Sequence, residues 1–214
     1  MPIRPACLPV VLPAAAVLFA SAVQAGEVGV VEEFNNGVGE WGGGANVVQE
    51  ATDGIGGAGD GWLHVSQLAA LGRLGVRNTS SVFTGDLTAA GATGVRFALR
   101  DVGPADQLEI RVGVGANRNN FWITTIAFVP GADWQVFEVA FDEANWTQTQ
   151  GSGTFAEALS VSNRLLFRHD LEPITATPDS IMGDFGLDRV SLVPAPGTAL
   201  LSMVGLLLVA HRRR

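Results

Sequence analysis

Arg100, Arg111, Asn119 and Trp122 combine guanidinium donors, an amide and a flat aromatic ring. A ring of this kind stacks on the apolar face of a pyranose while amide and guanidinium groups fix its hydroxyls. Arg96, Arg100, Glu109 and Arg111 fall on the outward parity of two adjacent β-type runs, and Asn117-Arg118-Asn119-Asn120 forms a polar loop leading into Trp122. These residues are therefore expected to form a sugar-binding surface. The competing reading is a set of solvated cross-strand ion pairs beside a buried tryptophan. Asp188 carries a different chemistry. It shares parity with Val190 and Leu192, so it points inward with them, and a buried carboxylate needs a partner or a metal.

Catalysis is poorly supported. His64 and His169 sit in or beside β-type runs. Neither a Gly-x-Ser-x-Gly elbow nor a His-Glu-x-x-His run occurs. Glu109 with Glu138, or Asp142 with Glu143, would be the carboxylate pairs of a glycosidase, and their separation would set the mechanism. The chain therefore reads as non-catalytic, with a polysaccharide hydrolase or lyase as the weaker alternative.

The elements that must hold these residues have a period of two. Val95, Phe97 and Leu99 alternate with Arg96, Ala98 and Arg100; Leu108, Ile110, Val112 and Val114 with Glu109, Arg111 and Gly113; Phe137, Val139 and Phe141 with Glu138 and Ala140. Residues 121–128 are apolar on both parities and read as a central strand. Weaker strands are expected near 28–34, 45–50, 61–66, 73–83, 163–169 and 183–193, with one helical turn at 155–159. Gly- and Pro-rich separators stand between them. The expected fold is all-β, a two-sheet antiparallel sandwich with jelly-roll connectivity, flanked by apolar helical segments at both ends.

Residues 26–193 contain nine arginines, no lysine and all 21 acidic residues, for a net charge near −12. Such a body repels phosphate backbones, which argues against nucleic acid. Its acidity fits solubility, attraction of divalent cations and a neutral-sugar or protein partner. The single cysteine, Cys7, precedes the apolar run of the N-terminus. Arg4, the apolar stretch 8–22 and Val23-Gln24-Ala25 have the form of a signal peptide cut after Ala25, leaving a cysteine-free domain over 26–193.

At the other end, Val193-Pro194-Ala195-Pro196-Gly197 precedes an uncharged stretch, 199–210, and then Arg212, Arg213 and Arg214. As a helix, twelve residues rise about 18 Å at ~1.5 Å each, against a bilayer core of ~30 Å. The terminal arginines favour a cytoplasmic end. The segment 194–214 resembles the PEP-CTERM sorting signal, with Ala195 where that motif has glutamate. The resemblance rests on Pro194, Pro196, Gly197, the apolar stretch and the three terminal arginines. It implies a bacterial protein held transiently in the inner membrane, processed by an exosortase-like protease, and delivered to the cell surface or extracellular matrix.

Glu32-Glu33-Phe34-Asn35 with Trp41, Gly61-Trp62-Leu63-His64-Val65-Ser66, Trp134-Gln135-Val136-Phe137-Glu138-Val139 and Leu187-Asp188-Arg189-Val190-Ser191-Leu192 resemble strands of galactose-binding-like, carbohydrate-binding jelly rolls. The texture is also similar to that of concanavalin-like lectin sandwiches. The resemblance implies a structural Ca²⁺ held by Asp188 and a first-strand carboxylate, Glu32 or Glu33, with backbone carbonyls completing the oxygen shell. Asp53 and Asp60 are looser alternatives. The expected function is binding of extracellular or envelope polysaccharide. The alternative is a structural matrix or adhesion protein.

Overall fold

The computed structural model describes residues 26–103 and 107–196. The expected cleavage site at Ala25 and the sorting-signal residues Gly197, Arg212, Arg213 and Arg214 lie outside the described residues. Among the described residues no helix is long and apolar enough to cross a membrane.

The chain forms an all-β sandwich of two antiparallel sheets. In chain order the strands are β1 (Val31–Glu32), β2 (Trp41–Gly42), β3 (Asn46–Glu50), β4 (Trp62–Gln67), β5 (Gly75–Asn78), β6 (Ala92–Asp101), β7 (Ile110–Ala116), β8 (Asn120–Thr124), β9 (Gln135–Ala140), β10 (Trp146–Gly151), β11 (Arg164–His169) and β12 (Gly183–Pro194). The first sheet runs β3-β4-β12-β6-β9, with β1 also on β12; the second runs β10-β8-β7-β11-β5-β2. The closing strand, β12, pairs with β6 along one side and with β4 and then β1 along the other. It ends at Pro194, whose residue partner is Ala92, so the sandwich extends one residue into the proline motif.

Alternation decides which side chains fill the interior. Val95, Phe97, Leu99, Phe185 and Leu187 of the first sheet meet Val76, Val112, Val114, Leu165 and Phe167 of the second in one buried cluster. The rings of Phe97 and Phe167 touch edge-on across the sheets, with centroids 4.9 Å apart. Among the described residues a single α-helix, α1 (Phe155–Ser160), packs at one end of the sandwich. Thr154 caps it by accepting the Glu157 N–H, and the Glu157 carboxylate returns to the Thr154 N–H.

Two expectations about strands need correction. The run 121–128 is not a central strand: β8 ends at Thr124 and lies one place from the sheet edge, while Phe128 bonds back to Ile110. The short strand β2 and the polar strand β10 were not expected, because Trp41-Gly42 is too short for a periodicity and Thr147-Gln148-Thr149-Gln150 has no apolar alternation.

Candidate binding groove

Val76, Val112, Val114, Trp122, Leu165 and Phe167 face the core, so their neighbours along each strand face outward from the second sheet. Arg77, Arg164, Arg168, Arg111, Phe121 and Ile123 occupy that outer face. Gly113 lies beneath the two apolar ones. A side chain there would meet Ile123 Cδ1 at 2.6 Å and the Phe121 ring at 2.8 Å, so glycine lets both lie flat over the sheet.

A strap, residues 171–180, crosses this face. Arg168 Nη2 donates to Thr175 O at 2.5 Å and Nη1 to Ala176 O at 3.4 Å; Gln150 Nε2 also donates to Ala176 O. Arg168 is further paired with Asp170, and burial pushes the Asp170 carboxyl above its ordinary range while the Arg168 charge pulls it back. At the strap's far end Ile181 N–H donates to Gly72 O and Ser180 Oγ to Leu71 O. Arg111 holds the near end through Glu172 Oε1 at 3.2 Å. Both faces of β8 are therefore covered, which explains the apolar run.

Between the strap, the glycines after β2 and the outer face of β5 and β11 lies a groove of about 270 Å³. Arg73, Arg77, Arg164 and Arg168 line it, together with Gln150 and Phe121. The hairpin tip between β7 and β8 adjoins Gln150, whose Oε1 accepts the Arg118 N–H at 2.9 Å.

The expected sugar-binding quartet is not assembled. β6 and β7, expected to adjoin on one surface, lie in opposite sheets. Arg100 sits on the outer face of the first sheet, its guanidinium carbon 4.2 Å from the Trp62 ring centroid and 4.8 Å from that of Trp134. Arg111 is 2% exposed, and its guanidinium donates to the carbonyls of Asp170, Thr124 and Thr125. Trp122 is 8% exposed, packs on Phe155 at 5.4 Å, and donates from Nε1 to Asn120 Oδ1. Only Asn119 is exposed, at the hairpin tip. Trp41, Trp62 and Trp146 are also buried, leaving Trp134 as the one partly exposed tryptophan. Arg164 and Arg168 were not among the expected site residues; they share parity along β11, and that pair together with Arg77 is the signal for the groove that the sequence carries.

The carboxylates considered for glycosidase chemistry have other partners. Glu138 pairs with Arg96 on the first sheet, whereas Glu109 approaches Arg111 on the second. Asp142 caps a short 3-10 turn by accepting the Ala144 N–H. His64 Nε2 lies 2.9 Å from Asp184 Oδ2, and His169 Nδ1 accepts the Glu109 N–H.

Asp188 is fully buried, as its parity predicts. A bulge after it, with Arg189 at φ 48°, turns its carboxylate toward the loop 54–60. Oδ2 accepts the Ile55 N–H at 2.9 Å and Oδ1 the Arg189 N–H at 2.7 Å. Burial pushes its pKa up to about 6, with the nearby Asp60 charge adding to the rise and the two N–H donors opposing it. Asp60 is the carboxylate that comes close: a side chain at position 54 would meet Asp188 Oδ2 at 2.9 Å and Asp60 Oδ2 at 2.8 Å. Glu32 instead accepts the Phe34 N–H, and Glu33 the Asn35 amide. Among the described residues no group of three or more His, Cys, Asp or Glu side chains is gathered for a metal.

No protein-family model matches the sequence, and no curated protein sequence does. Solved structures of like fold do exist. The family 11 carbohydrate-binding module from Clostridium thermocellum, in complex with a β-1,3-1,4-mixed-linked tetrasaccharide, superposes with a TM-score of 0.53 at 19% identity, over 77% of this chain and 95% of that one. The family 11 module of a cellulosomal cellulase from the same organism gives 0.52 at 19% identity, over 77% and 92%. An exo-β-agarase gives 0.56 at 14% identity, over 78% of this chain and 25% of that larger one. These likenesses establish the jelly-roll sandwich fold.

Proposed function

We propose that the protein is a non-catalytic, polysaccharide-binding β-sandwich that holds its ligand in the groove on the outer face of the second sheet. The observation that carries this reading is the groove itself: a concave, solvent-open site in which guanidinium and amide donors converge over β5, β11 and β10. The fold adds support, since two of the like structures are named as carbohydrate-binding modules and one holds a tetrasaccharide. Pull-down of the protein on insoluble or immobilised polysaccharides is the test. Retention on at least one polysaccharide, released by the same polymer in solution, is expected; passage through every one of them contradicts the reading.

Export and surface delivery belong to the same proposal, supported by the two apolar ends and the resemblance of 194–214 to a PEP-CTERM signal. The intact mass of the cell-surface form should correspond to a chain that begins at Gly26 and has lost its arginine-ended tail. A full-length mass contradicts this. A structural Ca²⁺ at Asp188 is also proposed, with Asp60 rather than Glu32 or Glu33 as the second carboxylate. Two carboxylates crowded around one glycine favour a divalent cation between them, and backbone carbonyls of the 54–60 loop would complete an oxygen shell.

A further inference from the structure

The groove differs from the rest of the molecule in charge. Acidic residues outnumber arginines by more than two to one over 26–193, yet among the described residues no aspartate or glutamate lines the groove, and four of the nine arginines do. Arg168 is paired with Asp170. Arg73, Arg77 and Arg164 have no carboxylate within ion-pair distance among the described residues. Arg164 Nε is buried without a hydrogen-bond partner. Its guanidinium titrates below the ordinary arginine range, first because it is partly desolvated and then because Arg77 and Arg118 place like charges beside it. Three unpaired cations converging on one concavity repel one another, and a buried donor without an acceptor costs stability. An anionic ligand relieves both penalties.

We propose that the groove binds an acidic polysaccharide, through a carboxylate or sulfate oxyanion of the sugar unit seated among Arg73, Arg77 and Arg164. This deepens the polysaccharide-binding reading and rests on it. The planar guanidinium fork matches a carboxylate or sulfate in two parallel hydrogen bonds, which a neutral hydroxyl does not reproduce. The groove also lacks what neutral-glycan sites rely on. None of the five tryptophans lines it, and its one aromatic, Phe121, is 1% exposed, with the Arg164 guanidinium carbon 5.9 Å from its ring centroid. The overall negative charge does not forbid a polyanion, since at ~0.1 M salt fields decay within about 10 Å and the local arginines decide contact.

The test uses the full chain in a non-ionic detergent, with polygalacturonate, dextran sulfate, mixed-linked β-glucan and xylan as probes. Polygalacturonate or dextran sulfate should bind, more weakly as salt rises from ~0.1 to ~0.5 M. Which of the two binds better tells carboxylate from sulfate recognition. Arg164→Gln and the more exposed-site variant Arg77→Gln should each weaken binding by about tenfold or more, the loss expected for one charged hydrogen bond. Arg96→Gln, on the far sheet, should leave it unchanged. Arg77→Gln keeps the test decisive if Arg164→Gln misfolds, which a melting curve reveals. Binding of β-glucan or xylan alone, with both groove variants unaffected, overturns the acidic-ligand proposal and leaves polysaccharide binding standing. Polyanion binding that Arg96→Gln weakens as much as Arg77→Gln overturns the assigned site. Binding to none of the four overturns this proposal together with the reading beneath it.

Discussion

Trp122→Ala lowers the stability of the protein by about 3–5 kcal/mol, the usual cost of emptying a large aromatic site in a packed core. The indole lies between the sheets against Phe155, and its Nε1–H donates to Asn120 Oδ1, so truncation leaves a cavity and removes one of that oxygen's two donors, the other being Gln148 Nε2. Polysaccharide affinity of the folded fraction is unchanged, because the ring does not reach the groove. Denaturant melts give the first number and pull-down below the melting temperature the second. A variant of native stability that no longer holds polysaccharide would restore Trp122 as a stacking platform and contradict its placement in the core.

Asp188 makes stability depend on pH in an unusual direction for a carboxylate. Its pKa rises on folding from an ordinary 3.8 to about 6, chiefly because burial disfavours the charged form. The neutral form is the one the fold prefers. Its contribution to stability is therefore complete below about pH 4 and is lost as pH rises through about 6. A gap of about two pH units corresponds to roughly 3 kcal/mol. In excess chelator the wild type should lose this stability between pH 4 and 7 relative to Asp188→Asn, whose side chain does not titrate and keeps one acceptor for the loop. Saturating calcium should recover the loss at pH 7 and do little at pH 4, where Asp188 is protonated. Parallel pH profiles for wild type and variant contradict a carboxyl group whose pKa burial raises. A melting temperature at pH 7 that calcium leaves unchanged contradicts the cation.

Strand periodicity carried much of the fold. Val95, Phe97 and Leu99, or Val112 and Val114, cannot alternate with arginine and glycine without defining one buried face, and β6 and β7 follow these residues. The closing strand and the inward Asp188 were legible for the same reason. The site was less so, because parity fixes a face only within one strand. Arg100 and Arg111 share outward parity, but sheet membership separates them, and membership is set by non-local pairing with β12 and β11. The strap was hidden in a different way. Residues 171–180 have no periodicity and read as a separator, and what fixes them is a set of carbonyl contacts to Arg168 and Gln150 that no local pattern encodes. With the strap unseen, the apolar residues Phe121 and Ile123 suggested a central strand, and the arginines beside them had no groove to line.

The central claim is that polysaccharide lies across the outer face of the second sheet. Backbone amide exchange of the full chain, with and without a polysaccharide it retains, tests this most directly. Protection is expected to rise in the glycine bend after β2, in β5 around Arg77, and across the strap at 175–178, with β3, β4 and the Trp134 region unchanged. Protection confined to the first sheet around Arg100 and Trp134, with the groove unchanged, would place the ligand on the opposite face and contradict the account.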